Sequence, residues 1–136
     1  MPYVTATVHA LLNRAFRNTA GTWPSTVYCG LFKTPPILDG SGFVEVTTGD
    51  LDAYARVAIT FAAPSGRGIS NSAAVLYTNS ATVPGGTFVV THFGVFDALT
   101  SGNLMAYGAL ASPLTVGAGS VVNFPIGQLS IIDPGT

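Results

Sequence analysis

A succession of short period-two runs, each closed by glycine or proline, constrains this chain more than any other feature. The runs are Ser25 to Lys33, Tyr54 to Ala62, Ser72 to Thr78, Thr87 to Asp97, Leu104 to Leu110, Val121 to Phe124 and Gln128 to Ile132. Between them lie the turn signals Pro64-Ser65-Gly66-Arg67-Gly68, Pro84-Gly85-Gly86, Ser101-Gly102-Asn103 and Gly117-Ala118-Gly119. Alternation sends successive side chains to opposite faces of a sheet, so each run reads as a short strand. Short strands at this spacing specify an antiparallel β-sandwich or a small barrel. The expected fold is mainly β, one domain over 1–136, with strands from about 25 to 132.

One segment has a different period. Val8, Leu11, Leu12, Ala15 and Phe16 form the stripe of an amphipathic helix over about 6–19. Thr5 or Thr7 can cap its start and Gly21 can stop it. The stripe is expected to cover a sheet face or edge, with Trp23 stapling the helix to the sheet.

Composition bounds the role. Only 8% of the 136 residues are charged, against about 25% in ordinary soluble domains, and mean hydropathy is +0.48. Such a surface is expected to be covered by copies of the chain or by a larger assembly. Net charge is −1, and Arg14, Arg17, Lys33, Arg56 and Arg67 are scattered. A nucleic-acid partner needs clustered cations, so none is expected. No apolar run reaches the roughly 20 residues of a spanning helix, and the first residues lack a signal-peptide pattern. No membrane partner is expected.

Catalytic chemistry finds little purchase. Ser-His-Asp hydrolysis needs an exposed nucleophile turn, and no G-x-S-x-G elbow occurs. His92 and Asp97 project to opposite faces of one strand, and Asp97 is placed to cap the turn through Gly102 and Asn103. Cys29, the single cysteine, sits in an apolar alternation and reads as a buried free thiol. Asp39, Glu45, Asp50 and Asp52 share a loop, where turn capping and solubility explain them more simply than a calcium site or a glycosidase pair. No zinc-ligand spacing or P-loop is present. The expected inventory is no catalytic residue, no metal and no cofactor. Gly94 and Gly108 inside strands mark a close approach, for which the N-terminal helix is the candidate.

A set of motifs carries a resemblance. Leu11-Leu12-Asn13-Arg14-Ala15-Phe16-Arg17 leads into Ser25-Thr26-Val27-Tyr28-Cys29-Gly30-Leu31-Phe32. There follow Tyr54-Ala55-Arg56, Ile69-Ser70-Asn71-Ser72-Ala73, Thr91 to Asp97, Gly102-Asn103-Leu104, Tyr107 to Leu110, and Thr115-Val116 to Phe124-Pro125. The chain resembles a group of small tailed-bacteriophage proteins of the tail-fibre-like or minor structural kind, everywhere except Thr34 to Asp52. Gly85-Gly86-Thr87-Phe88 departs from that pattern, which has a tryptophan-glycine element there.

The resemblance implies a non-enzymatic virion component, assembled in the cytoplasm of the bacterial host. The leading expectation is a capsid decoration or cement-type protein. It oligomerises as a trimer and docks on major capsid or tail proteins. The alternative is a tail-fibre or tail-tip component that binds a host receptor or glycan. The absence of heptads and repeats argues against a shaft. Pro35, Pro36, Ile37, Leu38 and Phe43 form an irregular apolar loop, the expected docking segment. Its deletion (residues 35 to 43) is expected to leave a folded domain that no longer enters particles.

Overall fold

The computed structural model describes residues 3–77 and 82–133. Among these residues one helix, α1 (Thr5–Arg17), precedes nine strands, β1 (Val27–Thr34), β2 (Val44–Glu45), β3 (Val57–Ile59), β4 (Gly68–Ser70), β5 (Val75–Tyr77), β6 (Phe88–Phe96), β7 (Leu104–Val116), β8 (Val122–Phe124) and β9 (Ser130–Ile132). The main sheet runs β2-β1-β6-β7, and β3 shares with β2 the outer edge of β1. Two further antiparallel pairs, β4-β9 and β5-β8, stand apart from it. The architecture is sandwich-like, with no closed barrel among the described residues. Thr78, the end of one expected strand, lies outside them.

The core follows from cross-strand register. Cys29 pairs with Val95 and Leu31 with Phe93, so these four share one face. That face packs on Val75, Tyr77, Val122, Phe124, Leu129 and Ile131 from the paired strands and their flanks. The opposite face holds Phe32, Phe96 and Leu104 and forms a second, smaller core with Val4, Phe43 and Tyr107. Because both faces are covered there, Phe93 to Phe96 are buried without alternation.

The glycines in the strands make room for rings rather than for the helix. A Cβ on Gly94 would enter the Phe32 ring, and one on Gly108 would lie 2.7 Å from the Phe93 ring and 2.8 Å from the Ser130 carbonyl. The expected approach of α1 is therefore corrected: aromatic side chains of the same sheet, and β9, fill that space.

β7 is longer than its period predicts. His92 pairs with Ala109 and Val90 with Leu114, so Leu110 to Pro113 bulge out of the ladder before pairing resumes. Proline cannot donate to a ladder, and a bulge tolerates it. β2 and β4 were not expected. β2 lies inside the irregular 34–52 stretch, and β4 follows the tight Ser65–Gly68 turn, where Gly66 has φ +59°.

The helix differs from expectation at both ends. No side chain caps its start; instead the Thr5 N–H and hydroxyl both donate to the Leu38 carbonyl, each at 3.1 Å. It stops at Asn18, which takes the left-handed conformation at φ 50°, a role asparagine tolerates, so Gly21 is not the stop.

Candidate functional site

The catalytic candidates are held in structural roles. His92 Nδ1 lies 2.9 Å from the Thr91 hydroxyl, and partial burial lowers its pKa. Asp97 accepts from the Asn103 backbone N–H at 2.6 Å and from its side-chain amide at 3.0 Å. These bonds hold its carboxyl below the usual range and close the β6-β7 turn as the sequence implied. Cys29 is fully buried, and burial pushes its thiol up to about 12, which keeps it protonated and inert. His9 is exposed on α1.

The loop carboxylates are dispersed. Asp39 accepts from the backbone and hydroxyl of Ser41 at 2.8 and 2.6 Å. Asp50 pairs with Lys33 at 2.8 Å and accepts from Thr47 at 3.0 Å. Burial acts to raise the Asp50 pKa, and the bonds from Lys33 and Thr47 outweigh it, leaving the carboxyl lowered. Among the described residues no group of three or more His, Cys, Asp or Glu is placed to hold a metal.

Sequence reasoning missed the main polar cluster. Arg56 donates to Glu45 through Nε and Nη2, both at 2.9 Å, in a two-pronged pair. Its Nη1 reaches the carbonyls of Ala98 (3.0 Å) and Ser101 (2.7 Å) across the β6-β7 turn. The guanidinium lies 3.5 Å from the centre of the Phe96 ring. Tyr54 donates to Glu45 at 3.0 Å and accepts from the Leu31 N–H at 3.0 Å. Gly30 leaves the space, since a Cβ there would sit 2.8 Å from Glu45 Oε1. The cluster ties β1, β2, the segment before β3 and the β6-β7 turn into one unit. Arg56 and Glu45 lie 11 residues apart, one in the Tyr54 to Ala62 run and the other in the stretch read as irregular, so no local pattern marks them as partners.

A second staple is Asn71, 1% exposed. Its amide donates to the Ala73 and Pro125 carbonyls at 2.8 and 3.0 Å, and its side-chain oxygen accepts from the Leu129 N–H at 3.0 Å. Both of its amide hydrogens and its side-chain oxygen are engaged, fixing loops to the β4-β9 pair.

The loop expected to dock divides in two. Pro36 is buried and Pro35 half-buried. Phe43 stacks on Phe32 at 4.8 Å between ring centres and meets Phe96 edge-on at 5.9 Å. Ile37 and Leu38 are instead 60% and 63% exposed. Removal of residues 35 to 43 would uncover Phe32 and Phe96, so the intact fold expected of that deletion does not follow from this geometry.

The helix stripe is the larger departure. Leu11, Leu12 and Phe16 are 44%, 49% and 81% exposed, and no α1 residue is buried. The stripe expected to cover the sheet faces water. Trp23 is 41% exposed, which does not fit its expected role as a staple. The loop and the helix adjoin: the Leu38 carbonyl accepts from Thr5, and a Cβ on Gly40 would lie 3.1 Å from a Val4 methyl. Ile37 and Leu38 thus lie beside the start of α1, from which the exposed stripe runs on.

An open groove of about 320 Å³ is lined by Tyr3, Pro64, Arg67, Ile69 and Asp133. Arg67 and Asp133 approach to 3.5 Å at its side.

No curated protein matches the chain. A family model described as "Podophage GP4 fiber I protein gp80" matches residues 3–132.

Proposed function

The chain belongs to this podophage fibre family, and from that premise we propose that it is a non-catalytic component of a virion tail fibre, held there by apolar docking. Membership makes it a phage structural protein of the virion that associates with other phage structural proteins. The family's description supports the fibre reading over the capsid-decoration role the sequence had favoured. The observation that carries docking is the uncovered apolar end, α1 with Ile37 and Leu38. Burying apolar surface contributes about 25 cal/mol per Å² before the costs of association, so a chain with few charges gains by covering this end. The chain acts as a homo-oligomer. The three-fold assembly expected from the sequence is one way to cover the end; the charges on it favour a two-fold. Assembly takes place in the host cytoplasm before the particle is complete.

Antibody labelling of purified particles tests the reading. Label on the tail fibres supports it, and label confined to the capsid lattice overturns it. Particle entry of an Ile37→Asp/Leu38→Asp variant tests the docking segment, and normal incorporation of that variant refutes it.

A second reading, adhesion to a host-surface saccharide, is favoured by one observation. The groove beside Tyr3 sets an aromatic residue next to an Arg67–Asp133 pair, and such sites hold sugars by ring contact and forked hydrogen bonds. Binding of the purified protein to host cells, lost on Arg67→Ala, supports it. Equal binding by that variant overturns it.

A further inference from the structure

We propose that α1 is the self-association element, with the stripes of two copies packed antiparallel about a two-fold axis that passes between Leu11 and Leu12. The inference deepens the docking reading and rests on it for its setting in a fibre.

Exposure along the stripe is graded. Val4 is 3% exposed, Val8 is half-buried, and Leu11, Leu12 and Phe16 rise to 44%, 49% and 81%. The stripe starts in the second core and runs out into water as the helix leaves the sheet. A 13-residue helix is marginal by itself and draws its stability from packing of its apolar face. Here that packing is supplied only at the first turn.

The size of the patch fits a second copy. Leu11, Leu12, Phe16, Ile37 and Leu38 are 44%, 49%, 81%, 60% and 63% exposed, which leaves on the order of 500 Å² of mostly apolar surface, against about 800 Å² per partner in a stable dimer. The stems of Arg14 and His9 flank the stripe and supply further area.

The patch is self-complementary in one arrangement. With the axis between Leu11 and Leu12, these two residues face each other across the dimer, Val8 meets Ala15 of the second copy, and Phe16 reaches the first turn of the opposite helix, where Leu38 lies. The charges agree. α1 carries Arg14 and Arg17 in its last turn and no acidic residue in its first. Asp39 follows Leu38 at the other end, bonded to Ser41 and without an ion pair among the described residues. Antiparallel pairing brings the basic end of each helix to the acidic end of the other, twice. A parallel bundle would gather the arginines and align the helix dipoles, both unfavourable. An isologous contact of this kind closes on itself.

Sedimentation equilibrium of the full chain tests the proposal. The wild type is expected at twice its 13.9 kDa mass. Leu12→Asp is expected to raise the dimer Kd at least about 100-fold, as for loss of a central apolar anchor, with the circular dichroism of the fold unchanged; Leu11→Asp serves equally if that variant misfolds. Arg14→Glu/Arg17→Glu is expected to weaken the dimer about 10-fold, and adding Asp39→Arg should restore it. A monomeric or trimeric wild type overturns the proposal, as does a dimer that Leu12→Asp leaves intact or that Asp39→Arg fails to restore. Particle labelling reads the fibre assignment separately. A monomeric chain found on the fibres sinks the pairing alone, and a dimeric chain found only on the capsid sinks the fibre reading alone.

Discussion

Arg56→Met probes the cluster that joins the irregular 45–56 stretch to the sheet. The arginine and Glu45 side chains are 10% and 18% exposed, so the pair is largely screened from water. Methionine keeps the stem but removes both prongs to Glu45, the two bonds to Ala98 and Ser101, and the cation over Phe96. Glu45 then keeps Tyr54 alone as a donor within the cluster. Breaking one side of a buried pair costs about 3–5 kcal/mol, and the residual exposure here places the loss near the lower end. For a domain of this length about 3 kcal/mol lowers Tm by roughly 10 °C. Urea unfolding should show a lower midpoint at unchanged slope. The decisive comparison is the double variant Arg56→Met/Glu45→Leu. It removes the stranded carboxylate, so its loss should be smaller than the sum of the two single losses by at least about 1 kcal/mol. A single-variant loss under about 1 kcal/mol, or strict additivity, would refute the idea that this pair locks the two segments together.

Three other perturbations follow from the same geometry. Asn71→Ala should cost about 2–4 kcal/mol, because the Leu129 N–H and two carbonyls lose their partner in a buried site; faster amide exchange at Leu129 and Ile131 is the readout. Cys29 should resist thiol reagents at pH 8 in the folded protein and react fully in denaturant, since the thiol is buried with a pKa near 12; rapid native labelling would contradict the packing of β1. Asp50 and Asp97 have folded pKa values below their ordinary value of 3.8. Their contribution to stability is therefore fully present above about pH 4 and is lost as pH falls through the folded values. Asp97→Asn should flatten the acid limb of the stability curve measured by thermal melts between pH 5 and 2.

The long strands were legible because their pattern is local. β1 and β6 fall within two residues of the alternating runs, and the Asp97–Asn103 turn was readable from its aspartate, glycine and asparagine. β2 and β4 were not: these strands of two and three residues lie within or beside glycine- and proline-rich stretches that read as loops, and they exist through tertiary pairing. The far half of β7 was hidden by the bulge at Leu110 to Pro113. The helix was legible as a helix but not in its placement: an apolar stripe says that a face seeks cover and not what covers it. The same ambiguity split the 35–43 loop. Phe43 and Ile37 look alike in sequence, yet one stacks on Phe32 and the other faces water. Arg56 and Glu45 were out of reach because their pairing depends on Gly30 leaving room beneath it.

The central claim is that this chain is a fibre component docked through α1. An electron-microscopy map of the intact particle, at a resolution that traces helices, tests it most directly. The account predicts the chain in the tail fibre with Leu11, Leu12 and Phe16 covered by a neighbouring chain. Its placement in the capsid lattice, or in the fibre with α1 bare to solvent, would contradict it.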